Sequence, residues 1–333
     1  MSPEIALLGA GSWGTALAMQ AARAGHAVRL WGRDPDHVRA LAQSRENTRY
    51  LSGERFPDSL AMESDLRRAV EGAPMVMIAV PSHAFAETLK QVAPHLAPGA
   101  RVSWASKGFE PGTGRFLHQV AQDILGAEFP GAILTGPSFA REVARNLPTA
   151  VTVASPDREL ATALVRLFHH SSFRAYLTDD LIGAELGGAV KNVMAIGTGI
   201  ADGMGLGTNT RAAMITRGLA EMMRLSDALG GRRETLTGLS GMGDLVLTCT
   251  GDLSRNRQYG LALGQGEAAE AALERIGQVV EGVGTAEALM QLASSHDVEL
   301  PISEQIYRIV TNQNTPREGV SNLLAREPKA ELD

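Results

Sequence analysis

Ile5-Ala6-Leu7-Leu8-Gly9-Ala10-Gly11-Ser12-Trp13-Gly14-Thr15-Ala16-Leu17-Ala18 is the stretch whose reading decides the fold. A short apolar run ends at Gly9, and a helical pattern runs from Ala16 to Ala24, closed by Gly25. Between them the three glycines have separate tasks. Gly9 permits a tight turn, Gly11 lets the backbone approach a pyrophosphate, and Gly14 allows the helix to pack close to the strand. The helix N-terminus adds free N–H groups and the positive end of its dipole. The glycine spacing alone is a weak signal. The strand before it and the helix after it are the context that dinucleotide binding requires.

Outward from this loop the first half alternates strand and helix. Ala27–Trp31, Met75–Val80, Arg101–Ala105, Ala132–Leu134, Val151–Val153 and Phe173–Tyr176 are strand-like runs. Nearly continuous apolar strands separated by helices indicate a parallel sheet covered on both faces. From about Leu181 the strand signal stops. Leu181–Met204 and Thr210–Leu229 read as long helices, and Ser254–Leu263, Ala268–Ile276, Thr285–Ser295 and Ser303–Thr311 follow. The last helix opens with Thr315-Pro316-Arg317-Glu318, an N-cap threonine, a first-turn proline and a glutamate at the third position. The sequence therefore predicts an α/β N-terminal Rossmann-type domain, mostly parallel in its sheet, over residues 1–178. An all-α C-terminal domain follows over 179–333, with a frayed polar tail from Arg326. There are no internal repeats and no low-complexity segments.

Composition sets the outer bounds. A chain of 333 residues suits two domains, and 44% hydrophobic with 20% charged residues is a globular balance. A net charge of −6 argues against a broad nucleic-acid surface. The single cysteine, Cys249, allows no intrachain disulfide and fits a reducing compartment. No apolar run approaches the roughly 20 residues of a membrane helix, so no stable membrane insertion is expected. The apolar N-terminus has Glu4 where a signal peptide needs basic residues, and its glycines interrupt the run. Cytoplasmic residence is the expectation, and no metal is expected.

Several residues stand out by type and place. Gly32-Arg33-Asp34 ends the second strand. An acidic residue at such a tip binds the adenosine ribose hydroxyls of NAD, and an arginine favours the 2′-phosphate of NADP. Arg33 sits nineteen residues after Gly14, and Asp34 is the alternative ribose ligand. The reading leans to NADP(H), with NAD(H) tolerated. Ligands of parallel sheets sit beyond the carboxyl ends of strands, so Pro81, Ser106-Lys107-Gly108 and Gly136-Pro137-Ser138 are expected to border the cofactor crevice.

In the helical half, Glu185-Leu186-Gly187-Gly188-Ala189-Val190-Lys191-Asn192 lies on the first long helix. Glycines 183, 187, 188, 197 and 199 crowd that helix, and each opposes it by up to about 1 kcal/mol relative to alanine. The expectation is that a ligand or the other domain packs beside Lys191. Further on, Gly243-Asp244-Leu245-Val246-Leu247-Thr248-Cys249-Thr250 precedes Ser254-Arg255-Asn256-Arg257. Ser254 as an N-cap with Arg255 and Asn256 in the first turn makes a phosphate cradle. The alternative reading makes Arg255 and Arg257 ordinary surface charges.

Taken in order, Gly9–Gly14, Ser106-Lys107-Gly108, Leu134-Thr135-Gly136-Pro137-Ser138-Phe139-Ala140, Val190-Lys191-Asn192, Asp244 with Thr248, Arg255-Asn256 and Val280-Glu281-Gly282 form a set. The chain resembles, over almost its whole length, the NAD(P)-dependent sn-glycerol-3-phosphate dehydrogenases of bacterial type. The resemblance implies interconversion of dihydroxyacetone phosphate and sn-glycerol 3-phosphate, a small phosphorylated three-carbon substrate pair, in the service of phospholipid synthesis. It implies Lys191 as catalytic acid/base and Lys107 in contact with both substrate and nicotinamide. Gly136, Ser138, Asp244, Ser254, Arg255 and Asn256 would line the substrate site, with Asn192 and Thr248 beside them. Gly9, Gly11, Ser12, Trp13, Gly14, Arg33, Ala140, Arg255, Val279 and Glu281 would contact the cofactor. The position of Arg33 varies in this family, so the resemblance leaves the choice of NAD or NADP open.

A buried lysine with a second lysine beside it loses affinity for its proton, which suits an acid/base near neutral pH. Asp244, if close, opposes that shift and orients Lys191 or a substrate hydroxyl. Two other readings stand beside this one. A dehydrogenase of the same architecture could act on a hydroxy acid or keto acid, and a non-catalytic NADPH sensor would need no proton donor. A helix-rich second domain also admits a homodimer.

Overall fold

The computed structural model describes residues 4–328 and 330. By its contacts the chain divides into two compact units, one of residues up to Ser106 together with Leu117–Leu181, the other of Lys107–Phe116 together with the chain from Ile182 onward.

The first unit runs β1 (Ile5–Leu8), α1 (Ser12–Arg23), β2 (Val28–Trp31), α2 (Pro35–Ser44), β3 (Glu46–Asn47), β4 (Leu51–Arg55), β5 (Leu60–Glu63), α3 (Leu66–Val70), β6 (Met75–Ile78), α4 (Ser82–Val92), β7 (Arg101–Trp104), α5 (Leu117–Leu125), β8 (Ile133–Thr135), α6 (Ala140–Ala144), β9 (Thr149–Ala154), α7 (Arg158–Phe168) and β10 (Phe173–Thr178). Eight strands form one sheet in the order β10-β9-β8-β7-β6-β1-β2-β5. Every pairing in it is parallel except β8 with β9, so β9 and β10 run against the other six. β3 and β4 make a separate antiparallel pair.

All four residues of β1 are buried, which places it inside the sheet with helices on either side. Burying each such Leu or Ile side chain contributes roughly 1.5–3 kcal/mol. β1 has β2 on one side and β6 on the other. The strand order reverses there, and the carboxyl-end crevice at that reversal is where doubly wound folds bind nucleotides. α2 shows how the local sequence starts a helix. Asp34 is its N-cap, accepting the N–H groups of Asp36 and His37, and Pro35 holds the first helical position.

The second unit is helical: α8 (Leu181–Gly203), α9 (Gly207–Leu229), α10 (Arg233–Thr237), α11 (Asp244–Thr250), α12 (Arg255–Gly264), α13 (Ala269–Ile276), α14 (Glu281–Ser295), α15 (Pro301–Val310) and α16 (Pro316–Leu324). A π-helical turn, Leu239–Gly243, leads directly into α11. α16 carries the full capping box expected from Thr315 and Glu318. Arg326–Pro328 is irregular, and most of the tail expected to fray lies outside the described residues.

α8 is buried almost all round, the mark of a central helix. Gly187, Gly199 and Gly203 have a cause within the unit itself. A Cβ on Gly199 or Gly203 would lie 2.2 or 2.3 Å from the carbonyl oxygens of Arg257 and Leu261 on α12. From the α12 side, a Cβ on Gly260 or Gly264 would lie 2.0 or 2.3 Å from those of Ile196 and Ile200. Gly187 meets the Ser240 carbonyl of the π-helical turn at 2.2 Å. Helix backbones of the same unit press against α8, and glycine alone admits that approach. The segment Lys107–Phe116 packs with this unit too. Phe109 and Phe116 are 3% exposed in its core and meet edge to face, 5.4 Å between ring centroids. A reading in strict chain order leaves that segment with the first domain.

Candidate functional site

In the second unit the polar cluster forms around Asp244. Lys191 stands mid-way along α8, 7% exposed, and Asp244 opens α11, 1% exposed. Lys191 Nζ donates to Asp244 Oδ1 at 2.5 Å and Lys107 Nζ to Oδ2 at 2.8 Å. Thr248, one turn along α11, donates its hydroxyl to the Asp244 carbonyl at 2.6 Å. One carboxylate thus serves two ammonium groups. Burial lowers the Lys191 pKa from the usual lysine range to about 7; Lys107 pushes the same way, while Asp244 opposes. For Asp244, burial works to raise the pKa, but the two lysines outweigh it and hold the carboxylate ionised. Asp244 fixes where the Lys191 ammonium points, and burial with Lys107 loosens its proton, an arrangement able to donate and take back a proton near neutral pH. Cys249 lies behind it, fully buried, its thiol pushed up to about 12 by burial.

A second group begins one residue along α8. Asn256 Nδ2 donates to Asn192 Oδ1 at 3.0 Å, and Asn256 Oδ1 accepts the Gly282 N–H at 2.9 Å. These two side chains tie α8, α12 and the first turn of α14 together. Ser254 caps α12 by accepting the Arg257 N–H at 3.2 Å. Arg255, the first residue of α12, is exposed and donates to Gln278 Oε1 at 3.2 Å. An arginine beside a helix N-terminus suits a phosphate. Arg257, left open between cradle and surface, is neither: it is bound to Asp202 at 2.8 Å and to Asp252 at 2.8 Å. Val279 is 41% exposed, and Glu281 begins α14.

In the first unit the carboxyl ends of β1, β2, β6, β7 and β8 share one edge, and the glycine loop lies there. Gly9 has φ +126° and a Cβ on it would meet the Ala79 carbonyl at 2.7 Å, while one on Gly14 would meet the Gly9 carbonyl at 1.9 Å. A Cβ on Gly11 would meet nothing within 4 Å. Packing therefore explains Gly9 and Gly14, and Gly11 leaves open space, as a pyrophosphate approach requires. Beside it the buried Trp13 Nε1 has no hydrogen-bond partner among the described residues. Ser12 Oγ donates to the Tyr50 carbonyl at 3.0 Å. At the end of β8, Gly136 has φ +125°, Ser138 Oγ donates to the Gly136 carbonyl at 2.9 Å, and Ala140 opens α6. Arg33 is exposed at the tip of β2. Asp34, the alternative ribose ligand, is engaged as the cap of α2.

The sequence reading did not include Asn47 and Tyr50, which hydrogen-bond to Ala10 and Ser12 of the glycine loop, or Arg49 between them in the chain. Their segment, Arg45-Glu46-Asn47-Thr48-Arg49-Tyr50, carries no motif. The only trace in the sequence is its place just after the helix that follows β2. Among the described residues, no group of three His, Cys, Asp or Glu side chains is placed to hold a metal ion, and no helix is long and apolar enough to cross a membrane.

Comparison with known proteins extends over both units. Residues 4–161 match the NAD-dependent glycerol-3-phosphate dehydrogenase N-terminus, and residues 180–321 match the C-terminus of the same family. The glycerol-3-phosphate dehydrogenase [NAD(P)+] of Stenotrophomonas maltophilia is 56% identical over 98% of this chain and 96% of its own. The crystal structure of glycerol-3-phosphate dehydrogenase from Coxiella burnetii superposes with a TM-score of 0.93 at 48% identity, covering 97% of this chain and 98% of that one. The enzyme of Saccharomyces cerevisiae gives 0.82 at 25% identity, covering 96% and 99%.

Proposed function

Because the chain belongs to the NAD-dependent glycerol-3-phosphate dehydrogenase family, we propose that it reduces dihydroxyacetone phosphate to sn-glycerol 3-phosphate, and runs the reverse reaction, with Lys191 as the proton donor and acceptor. The observation that carries the reading is the buried Lys191, held on Asp244 with Lys107 on the same carboxylate and its pKa brought to about 7. Reduction of the ketone needs a hydride at carbon and a proton at oxygen. A nicotinamide cofactor, when bound, would supply the hydride. Lys191 supplies the proton to the substrate oxygen in reduction and takes it back in oxidation. A group with a pKa near the working pH does both with least loss.

Asp244 keeps the ammonium from rotating away, and Lys107 adds a positive charge that favours the developing alkoxide. Arg255, with the α12 N-terminus behind it, holds the substrate phosphate. Asn192 and Asn256 act on the substrate through the placement of α8, α12 and α14, since their side chains are hydrogen-bonded to one another and to Gly282. Gly11, Ser12, Trp13 and Arg33 take the cofactor in the first unit. The product's place is the supply of glycerol 3-phosphate to phospholipid synthesis, in the cytoplasm.

The test is steady-state reduction of dihydroxyacetone phosphate with NADPH and NADH in parallel, with ketopantoate and short keto acids as competing substrates. Turnover confined to dihydroxyacetone phosphate is the expected result. Comparable rates on a keto acid would overturn the substrate assignment, and nucleotide binding with no turnover would overturn the enzyme.

A further inference from the structure

At the carboxyl end of β2 the first unit assembles charges in a way that bears on the choice between the two nicotinamide cofactors. Asp34 is the residue type that takes ribose hydroxyls in NAD sites. Here its Oδ1 accepts the N–H groups of Asp36 at 3.0 Å and His37 at 3.3 Å, and its Oδ2 lies 3.9 Å from an Arg49 guanidinium nitrogen. The backbone N–H of His37 foremost holds its carboxyl below the usual range, so it stays an anion committed to the helix start.

Arg49 is fixed in place by its neighbours, though its own side chain is 61% exposed. Its guanidinium lies over the Tyr50 ring at 5.1 Å, and that ring meets His37 edge to face at 5.3 Å. The segment is bolted to the glycine loop. Asn47 Nδ2 donates to the Ala10 carbonyl at 3.1 Å and to Thr15 Oγ1 at 2.8 Å, Ser12 donates to the Tyr50 carbonyl, and Asn47 Oδ1 accepts the Tyr50 N–H at 3.2 Å. Arg33 stands exposed at the end of β2, beside Asp34 in sequence. The neighbouring Asp36 is paired with Arg39, so it cancels no charge on the two arginines.

We propose that Arg49 is a specificity-determining residue, which together with Arg33 clamps the 2′-phosphate of the cofactor's adenosine and makes NADPH the preferred cofactor. The inference rests on the dehydrogenase reading. A 2′-phosphate brings close to two negative charges and three acceptor oxygens, and planar guanidinium groups match it in pairs. At 3.9 Å the contact of Arg49 with Asp34 is an exposed, loose ion pair, of a kind that contributes little. Arg49 therefore gives it up readily for a dianion. NADH offers a ribose hydroxyl at that place, where the Asp34 carboxylate is already engaged as the cap of α2.

Isothermal titration of the purified enzyme with 2′,5′-ADP and with 5′-AMP tests the clamp without turnover. The wild type is expected to bind 2′,5′-ADP at least about tenfold more tightly, and Arg49→Ala to lose roughly tenfold of that preference, the share of one charge-assisted hydrogen bond. The preference shrinks in 0.5 M salt, because exposed charges are screened. The ratio of kcat/KM for NADPH to that for NADH, measured with dihydroxyacetone phosphate, falls in Arg49→Ala and falls further in Arg33→Ala/Arg49→Ala. Equal wild-type affinities for the two nucleotides, or a ratio within twofold of wild type in Arg49→Ala, would overturn the clamp. Failure of the dehydrogenase reading looks different: no turnover of dihydroxyacetone phosphate with either cofactor, whatever the nucleotide preference.

Discussion

A carboxylate shared by two lysines is a geometry with direct kinetic consequences. With a pKa of about 7, Lys191 is protonated below neutrality and neutral above it. Ketone reduction needs the protonated form, so its kcat/KM falls as pH rises through about 7; alcohol oxidation needs the neutral form, so its kcat/KM rises through the same region. Parallel pH profiles in the two directions check this, and profiles moving the same way would refute it. Lys191→Ala lowers kcat by roughly 10²–10⁴-fold, the range of lost acid/base catalysis, and single-turnover measurements at saturating substrate are the check. Arg255→Ala acts elsewhere: KM for dihydroxyacetone phosphate rises by roughly tenfold or more, as loss of a charge-assisted phosphate contact implies, and an unchanged KM would put the phosphate in another place. The residue types Lys107, Lys191 and Asp244 were legible because their segments carry family motifs. Their convergence was not, since the 53 residues from Lys191 to Asp244 include a π-helical turn that no periodicity announces. The engagement of Asp34 was half legible: Asp-Pro at a helix start reads as cap and first turn, yet the same aspartate sits where a ribose ligand would.

At the scale of elements, the contact of α8 with α12 joins the helix of Lys191 to the Ser254–Arg255 turn. Glycines on both helices bring backbone against backbone, and Asp202 near the end of α8 holds Arg257 on α12. Gly260→Ala places a Cβ 2.0 Å from the Ile196 carbonyl, a contact no side-chain rotation relieves. Overpacking of this kind costs about 1–3 kcal/mol, a fall in Tm of roughly 3–10 °C for a unit of this size, measurable by calorimetry. An alanine variant with wild-type Tm would show that the helices separate freely. Seven of the sheet's eight strands and the long helices were legible from short apolar runs and from helix-patterned stretches of about twenty residues; β3, β4 and β5 were not, because Glu46–Asn47, Leu51–Arg55 and Leu60–Glu63 form no such run. α14 was read from Thr285 and begins at Glu281, because a Val-Glu-Gly-Val-Gly start carries no side-chain cap to mark it. The reversed β9 and β10 were equally hidden, since strand direction depends on connections and not on composition.

For the whole molecule, the segment Lys107–Phe116 matters most. The chain passes from one unit to the other at residues 106/107, 116/117 and 181/182, so a single cut cannot separate two complete units. A fragment of residues 182–328 lacks Phe109 and Phe116, two rings of its core. Loss of a buried phenylalanine costs about 3–5 kcal/mol, comparable to the entire stability of many domains. The fragment alone is expected to show helical far-UV circular dichroism with weak near-UV signal and strong dye binding. A sharp native-like melting transition in the fragment would disprove the point. This placement also orders events during translation. Phe109 and Phe116 leave the ribosome long before α8 to α14 exist to cover them, while the strands on either side of them are already able to pair. For that interval a nascent chain carries two uncovered rings on a loop of an otherwise closing sheet.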